Sequence, residues 1–456
     1  MKYKNILIIA SLLIQPLTLP LAQAAAPNSP QEIRVQLLTE TSLTPIYLSS
    51  FYFVEPTSNF SANYLKELEK IIEYDFAHNG KTKTLSKSIA KENLLKNISQ
   101  EGLEVQAIGS PYAISFAIKG KNLQCKAYNL QKKTAKTFSD ITLTGSLAED
   151  RQKLHKLSDA IHETLFNSKG IASAKILYAF QNKSSEGNWI SEIAECDSDG
   201  ENKKILTKEN SYCVTPVTIP KNEEFHKDLF LYVSYKTGQP KIFIASKEDG
   251  KGKKVVDIRG NQILPAISKN RDKLAFICDA SGRTDLFVQS LKPETGQTGT
   301  PHQLFSYPRS TQASPTFSPD GSKIAFVSDK DGSPRIYWIS SKAEDKRQVA
   351  HLLTKKNREN SCPNWSSDGT KLAYSAKTEG VRQIWIYDFT TAEEKQLTFG
   401  PGDKENPCFA PNNLHIVFNS TDGSYSDLYV VNLNQPDAIK ITKGSGKNHY
   451  PTWGLR

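Results

Sequence analysis

Proline recurs along the C-terminal two-thirds of the chain at positions 216, 265, 315, 363, 407 and 451, always 44 to 50 residues from the next. The same short phrase surrounds each one. Its fullest copy reads Ser314-Pro315-Thr316-Phe317-Ser318-Pro319-Asp320-Gly321-Ser322-Lys323-Ile324-Ala325-Phe326-Val327-Ser328, and a second reads Cys362-Pro363-Asn364-Trp365-Ser366-Ser367-Asp368-Gly369-Thr370-Lys371-Leu372-Ala373-Tyr374-Ser375. The copies at Pro216, Pro265 and Pro407 are degenerate, and Pro451-Thr452-Trp453 is a fragment at the end of the chain. A repeat of this length is one supersecondary unit that must stack on its neighbours to bury an apolar face.

Alternation and turn chemistry divide each repeat into four short strands. The Pro-x-aromatic segment opens the first. Pro-Asp-Gly or Ser-Asp-Gly then reverses the chain, because Asp and Gly tolerate the left-handed dihedrals of hairpin turns. Lys323–Ser328 and Lys371–Ser375 are second strands, and Arg335–Ile339 and Gln383–Tyr387 are third strands. Lys395–Thr398, with Gln303–Phe305 and Lys440–Thr442, supplies the fourth. Four antiparallel strands at this period make one propeller blade. Second strands begin at Lys175, Leu229, Lys273, Lys323, Lys371 and His415, which predicts six blades. The first blade lacks its own Pro-x-aromatic strand, while Pro451-Thr452-Trp453 has no blade after it. The fragment is therefore expected to complete the first blade, close the ring and hide two sheet edges.

The pattern before the repeats is different. Ile33-Arg34-Val35-Gln36-Leu37 alternates like a strand, and Pro45–Leu48 and Phe51–Phe53 do the same. Leu65, Leu68, Ile72 and Phe76 fall at helical spacing between a Ser61 cap and a Gly80 stop. Strands are expected over Val105–Ser110, Ala113–Ile118, Leu123–Leu130 and Phe138–Leu143, and a helix from about Asp150 to Phe166. The fold expected is thus two-domain: an N-terminal α/β domain over residues 25–168, then a six-bladed all-β propeller over 170–456 closed by the C-terminal strand.

Residues 1–24 read as a signal peptide. Lys2 and Lys4 precede an apolar run from Ile6 to Ile14, broken by Gln15 and Pro16, and Ala22-Gln23-Ala24 ends it. No stretch is long and apolar enough to span a bilayer, and no Cys follows the signal to carry a lipid. The net charge of +10 comes from scattered lysines. Solvated surface is the preferred reading, nucleic acid is not expected as a partner, and weak attraction to an acidic partner or an anionic membrane surface is the alternative. Six cysteines without a C-x-x-C pair lack metal-thiolate or redox spacing, and all are read as buried or optional.

Chemistry was sought in several places. His155, Asp159 and His162 share a helix face, which the leucines opposite make a polar outer face rather than a ligand set. Asp197-Ser198-Asp199-Gly200 and Asp329-Lys330-Asp331-Gly332 begin like calcium loops but lack the downstream glutamate, so hairpin turns account for them. Gly444-Ser445-Gly446-Lys447 is a glycine-rich turn without a strand-to-helix context. A G-x-S-x-G elbow is absent. No catalytic residue, cofactor or metal is assigned.

The parts in this order resemble the TolB family: a signal, an α/β domain entered by Glu32-Ile33-Arg34-Val35, Ser-Pro-Asp-Gly-Ser-Lys-Ile-Ala-Phe blades and a terminal Pro-Thr-Trp. The resemblance implies a periplasmic, monomeric, non-enzymatic component of the Tol-Pal system, serving outer-membrane integrity and constriction at division. It implies a mobile N-terminal segment that joins TolA by strand addition, here Glu32, Ile33, Arg34, Val35 and Leu37. Leu38-Thr39-Glu40-Thr41 departs from the family's small, acidic turn. It also implies that the lipoprotein Pal sits over one propeller mouth, on the loops entering first strands. These are Arg309, Ser310 and Thr311; Arg358, Glu359 and Asn360; Asp403, Lys404 and Glu405; and Lys447, Asn448 and His449. A propeller-type hydrolase or lyase working from the channel face is the alternative, and a propeller with unrelated partners a third.

Overall fold

A computed structural model describes residues 33–39, 41–55, 60–96, 105–222, 224–225, 227–343 and 348–454. The expected signal peptide and Glu32 lie outside these residues.

The α/β part is built on a five-stranded sheet in the order Thr82–Thr84, Thr44–Phe53, Tyr112–Lys119, Asn122–Asn129, Thr134–Thr142. Thr44–Phe53 runs parallel to both its neighbours, and the remaining pairs are antiparallel. Two helices, Ala62–Ala77 and Leu147–Phe166, cover one face. Leu68, Ile72, Phe76, Leu154, Leu157 and Ile161 pack there on Ile46, Leu48, Ile114 and Phe116. The first helix begins where expected, since the Ser61 hydroxyl accepts from Tyr64 N at 3.2 Å. Residues Val105–Ile108 form a short helix rather than the expected strand. Gly109 donates to Val105 O at 2.7 Å, which closes a helical turn, and four residues are too few for alternation to separate strand from turn. The Ile89–Lys96 helix was not anticipated. Its one buried apolar residue, Leu95, leaves little periodic signal.

After the Leu147–Phe166 helix the chain is all β, and its antiparallel meanders form a β-propeller. Sheets of four, five, four and four strands begin at Cys213, Gln262, Gln312 and Asn360. A ten-stranded sheet holds the rest. It contains the meander from Asp403–Phe409 to Gln435–Lys440, and a second group in which Lys447–Trp453 pairs antiparallel with Lys175–Lys183. Trp453 lies opposite Ile176, and Thr452 opposite Leu177. The chain's tail therefore joins the sheet that carries Tyr178, as the split repeat required. Trp453, at 1% exposure, packs with Ala174, Tyr178, Val417 and Leu428.

Candidate functional site

Six first strands surround a channel of about 460 Å³. Each carries the same irregularity. Register shifts in the pairing of all six, and the shift spans the dipeptide ending in the repeat's proline. The residue before that proline is left-handed every time: Thr215, Leu264, Ser314, Cys362, Asn406 and Tyr450 have φ between 47° and 54°. Proline cannot donate to a ladder, and a bulge absorbs the missing bond while turning the strand. The repeat's most regular feature is thus a bulge facing the channel, held at non-glycine residues against their backbone preference.

Connections entering first strands and the hairpins between second and third strands open at one mouth of this channel. The α/β part packs on the turns at the other end. His415 Nε2 donates to His78 O at 2.7 Å, Asn434 Nδ2 to Gly80 O at 2.7 Å and Gln435 Nε2 to Ala77 O at 2.8 Å. Among the described residues, therefore, the α/β part leaves the first mouth uncovered. Eight of the twelve residues named for it reach its surface at least in part. Arg309, Thr311, Arg358, Glu359 and Asp403 are exposed, and Lys447, Glu405 and His449 are half-buried. Thr311 donates its hydroxyl to Asp329 at 2.8 Å, Glu359 pairs with Lys377 at 3.4 Å and Glu405 with Arg382 at 3.4 Å. The remaining four hold the loops from inside. Asn360 donates to Thr354 Oγ1 at 2.6 Å, Ser310 to Tyr307 O at 3.2 Å and Asn448 to Ser426 O at 3.2 Å. Lys404, fully buried, donates to the carbonyls of Gly400, Pro401 and Gly402 at 2.6, 2.5 and 2.9 Å, and burial pulls its pKa down to about 8. These four side chains are occupied with the loops themselves.

The N-terminal segment is laid onto the propeller. Arg34 pairs with Phe399 and with Asp437, Val35 pairs with Thr398, and Gln36 N donates to Leu397 O at 2.8 Å. Ile33 is buried among Ala373, Ile384 and Leu397, while Leu37 is half exposed. Arg34 and Val35 already fill a place between two strands.

His155, Asp159 and His162 do not form an outer face. All three are buried, because that side of the Leu147–Phe166 helix meets both Ala62–Ala77 and the propeller. His155 Nδ1 lies 2.9 Å from both Asp75 carboxylate oxygens, and its Nε2 stands 3.5 Å from Asp199, an electrostatic contact rather than a good hydrogen bond. Burial lowers the proton affinity of this imidazole. Asp75 and then Asp199 outweigh that, and its pKa rises to about 10. Asp197 also lies close enough to make a ligand set with His155 and Asp199. However, Arg151 pairs with Asp199, and Lys175 with Asp197. Each carboxylate already has its cation, which makes the cluster an ion-pair network across the joint. The calcium-loop start at Asp197 is accordingly a hairpin turn. Asp159 accepts from Ala172 N and Ser173 N, both at 2.9 Å, and a Cβ at Gly170 would collide with its carboxylate. Beside them a cavity of about 40 Å³ is lined by Tyr74, Asp159, His162 and His415.

A family model for the TolB beta propeller domain matches residues 162–456. A protein of Protochlamydia amoebophila named TolB homolog is 49% identical over 384 residues, which covers 82% of this chain and 81% of that protein. The chain belongs to the TolB family. The TolB homolog of Chlamydia pneumoniae is 37% identical over 81% of this chain and 85% of its own length. The crystal structure of TolB from Acinetobacter baumannii superposes with a TM-score of 0.73 at 22% identity, covering 93% of this chain and all of that one. This last likeness concerns the fold alone.

Within this TolB-family chain, reading by first-strand loops found half of the mouth. The hairpins between second and third strands also open there, and their aromatic residues, Trp189, Tyr235 and Tyr425, lie outside the repeated motif. Their placement could have been read from the four-strand order of a blade, which puts those hairpins on the same side as the first-strand loops.

Proposed function

We propose that this chain is a periplasmic adaptor of the Tol-Pal envelope system, supporting outer-membrane integrity and constriction during division. In this reading residues 1–24 are a cleaved signal, 25–168 an α/β domain and 170–456 a propeller of six blades. The ten-stranded sheet is counted as two blades, joined by the single parallel contact of Ser426 with Lys447. The uncovered mouth receives the peptidoglycan-associated lipoprotein Pal, and the segment from Glu32 to Leu37 addresses TolA once Arg34 and Val35 leave their places beside Asp437 and Thr398.

The observation that carries the proposal is the mouth itself: loops from successive repeats gather around it, and the α/β part occupies the other end. Binding without catalysis is the better reading because the channel is lined mainly by Pro, Ser, Thr, Asn and apolar side chains, and its two cysteines, Cys362 and Cys408, have thiols whose pKa burial raises. Among the described residues it presents no carboxylate or imidazole, the groups acid-base chemistry draws on most. The test is crosslinking in the native envelope followed by identification of what is joined. Recovery of a lipoprotein with a peptidoglycan-binding domain, through a crosslinker placed at Arg358, is expected. Crosslinks only to cytoplasmic-membrane transporters or to a processed peptide substrate would overturn the proposal.

A further inference from the structure

The exposed aromatic side chains are concentrated. Among the described residues the exposed Trp and Tyr side chains are Trp189, Tyr212, Tyr235, Tyr307 and Tyr425, from 37% to 59% exposed. All five belong to the uncovered mouth. Tyr212 and Tyr307 precede first strands, while Trp189, Tyr235 and Tyr425 flank hairpins between second and third strands. Two of them meet directly: the rings of Tyr212 and Tyr235 are 6.1 Å apart, edge to face. Phe53, on the α/β part, is the other exposed aromatic among the described residues, and five rings gathered on one mouth among polar groups mark an interaction site rather than chance exposure.

At the same mouth, unpaired basic side chains outnumber unpaired exposed carboxylates. Lys208, Arg259, Arg309, Arg358 and Lys447 lie on five connections that enter first strands, and no ion pair engages them among the described residues. Two ammonium groups, of Lys183 and Lys447, sit over the Trp189 ring at 5.6 and 5.4 Å, and Lys330 lies 5.8 Å from the Tyr307 ring. The carboxylates on these loops are largely engaged: Glu209 takes Lys236 and Tyr232, Asp329 takes Thr311, and Glu405 takes Arg382. Glu186, Glu379 and Asp422, on three hairpin turns, and Asp403, on a first-strand connection, are exposed carboxylates that no ion pair engages among the described residues, and they are the counterweight. Unpaired bases thus share the opening with exposed rings, although the lysines are scattered along the sequence.

We infer that this mouth recognises an acidic protein surface, with Trp189, Tyr212 and Tyr235 as apolar anchors and Arg259, Arg309, Arg358 and Lys447 as the charged rim. The inference rests on the proposed docking role of the mouth and adds the chemistry of what docks. Tyr, Trp and Arg are the residues over-represented where protein interfaces gain most of their energy. Three of the four rim cations are arginines, whose planar fork matches a carboxylate with two parallel hydrogen bonds. An anionic bilayer is the other surface such charge would attract. The arrangement favours protein, because the rings stand around a concave opening instead of forming one continuous flat face.

The test titrates the full mature chain with the soluble domain of the same organism's peptidoglycan-associated lipoprotein, by calorimetry at about 50 and about 300 mM NaCl, conditions that change the screening length roughly twofold. The variants are the pairs Arg309→Gln/Arg358→Gln and Trp189→Ala/Tyr212→Ala. Lys251→Gln, on a turn of the opposite end, is the control, and melting temperatures confirm that each folds. Affinity should fall about tenfold or more with added salt, and the arginine pair should lose about tenfold at low salt but little at high salt. The aromatic pair should lose roughly thirtyfold or more at either salt, and Lys251→Gln nothing. Tight binding that ignores salt and both pairs would refute the acidic-surface assignment while leaving the adaptor role standing. If the lipoprotein fails to bind, anionic phosphatidylglycerol vesicles are the second probe. Capture by them would make the mouth a membrane surface, and capture by neither would remove the adaptor role as well. Either result overturns the inference.

Discussion

Replacing Trp453 with alanine tests whether the tail strand holds the propeller shut. The indole is 1% exposed and packed against Tyr178, Ala174, Val417 and Leu428, which come from both halves of the ten-stranded sheet. Its backbone faces Ile176 across the antiparallel pair that joins the chain's end to Lys175–Lys183. Truncating a buried Trp to Ala removes transfer free energy and leaves a cavity, together about 3–5 kcal/mol. Trp453 should fall in the upper part of that range, because its pairing with Ile176 and the bond from Gly454 N to Lys175 O hold the backbone against collapse into the void. Against a total stability of about 5–15 kcal/mol this is a large fraction, and it corresponds to a loss of roughly 10 °C in Tm. Urea unfolding followed by far-UV circular dichroism is the assay. Trp189→Ala, which removes the same side chain from an exposed hairpin, is the control and should cost under about 1 kcal/mol. A Trp453→Ala loss no larger than the control's would refute the reasoning, as would a truncation of residues 449–456 that melts at the parent's temperature.

Other outcomes follow from the joint and the channel. Asp199→Ala leaves His155 and Arg151 facing each other without their shared carboxylate and should cost about 3–5 kcal/mol in denaturant titration, whereas breaking the exposed Lys395–Glu393 pair should leave the unfolding midpoint unchanged. Burial holds His415 down at a pKa of about 4, and His78 O accepts from its Nε2 while Asn412 Nδ2 donates to its Nδ1. A folded-state pKa below the ordinary 6.5 means stability is full above pH 6.5 and lost as pH falls toward 4. Unfolding free energy should therefore drop by about 3 kcal/mol over that window, and His415→Gln should flatten the slope. Thr215→Asn should raise stability by about 0.5–1 kcal/mol, since Asn tolerates the left-handed conformation and already holds it at position 406. Ile33→Asp should release the N-terminal strand, read as faster amide exchange at Gln36 with little change in global melting.

The repeat made the propeller legible because its signals are local. A Pro-x-aromatic strand, an Asp-Gly turn and an alternating apolar strand need no knowledge of distant contacts, and the unmatched fragment at Pro451 pointed directly to its partner at Lys175. The bulges were not legible, since the left-handed residue before each proline varies from Thr to Leu to Tyr and only the common register shift reveals it. His155 was misjudged because helical periodicity says which residues share a face, not what covers it. Its face is covered by a turn at Asp199, supplied by a different part of the fold. The mouth residues divided on the same ground: Lys404 and Asn360 look like surface polar groups in sequence, yet each is turned inward to satisfy loop backbone or side-chain partners. Charge told the opposite story, with five basic residues far apart in sequence, Lys208, Arg259, Arg309, Arg358 and Lys447, brought onto one rim by the repeat.

Amide hydrogen exchange of the mature chain, with and without the soluble domain of the peptidoglycan-associated lipoprotein, tests the adaptor reading most directly, because it reports which end of the propeller is covered. Protection should rise over residues 206–212, 307–312, 357–360 and 447–449 and stay unchanged over the turns at 318–322 and 366–370. Protection confined to those turns, or to the α/β part, would contradict it.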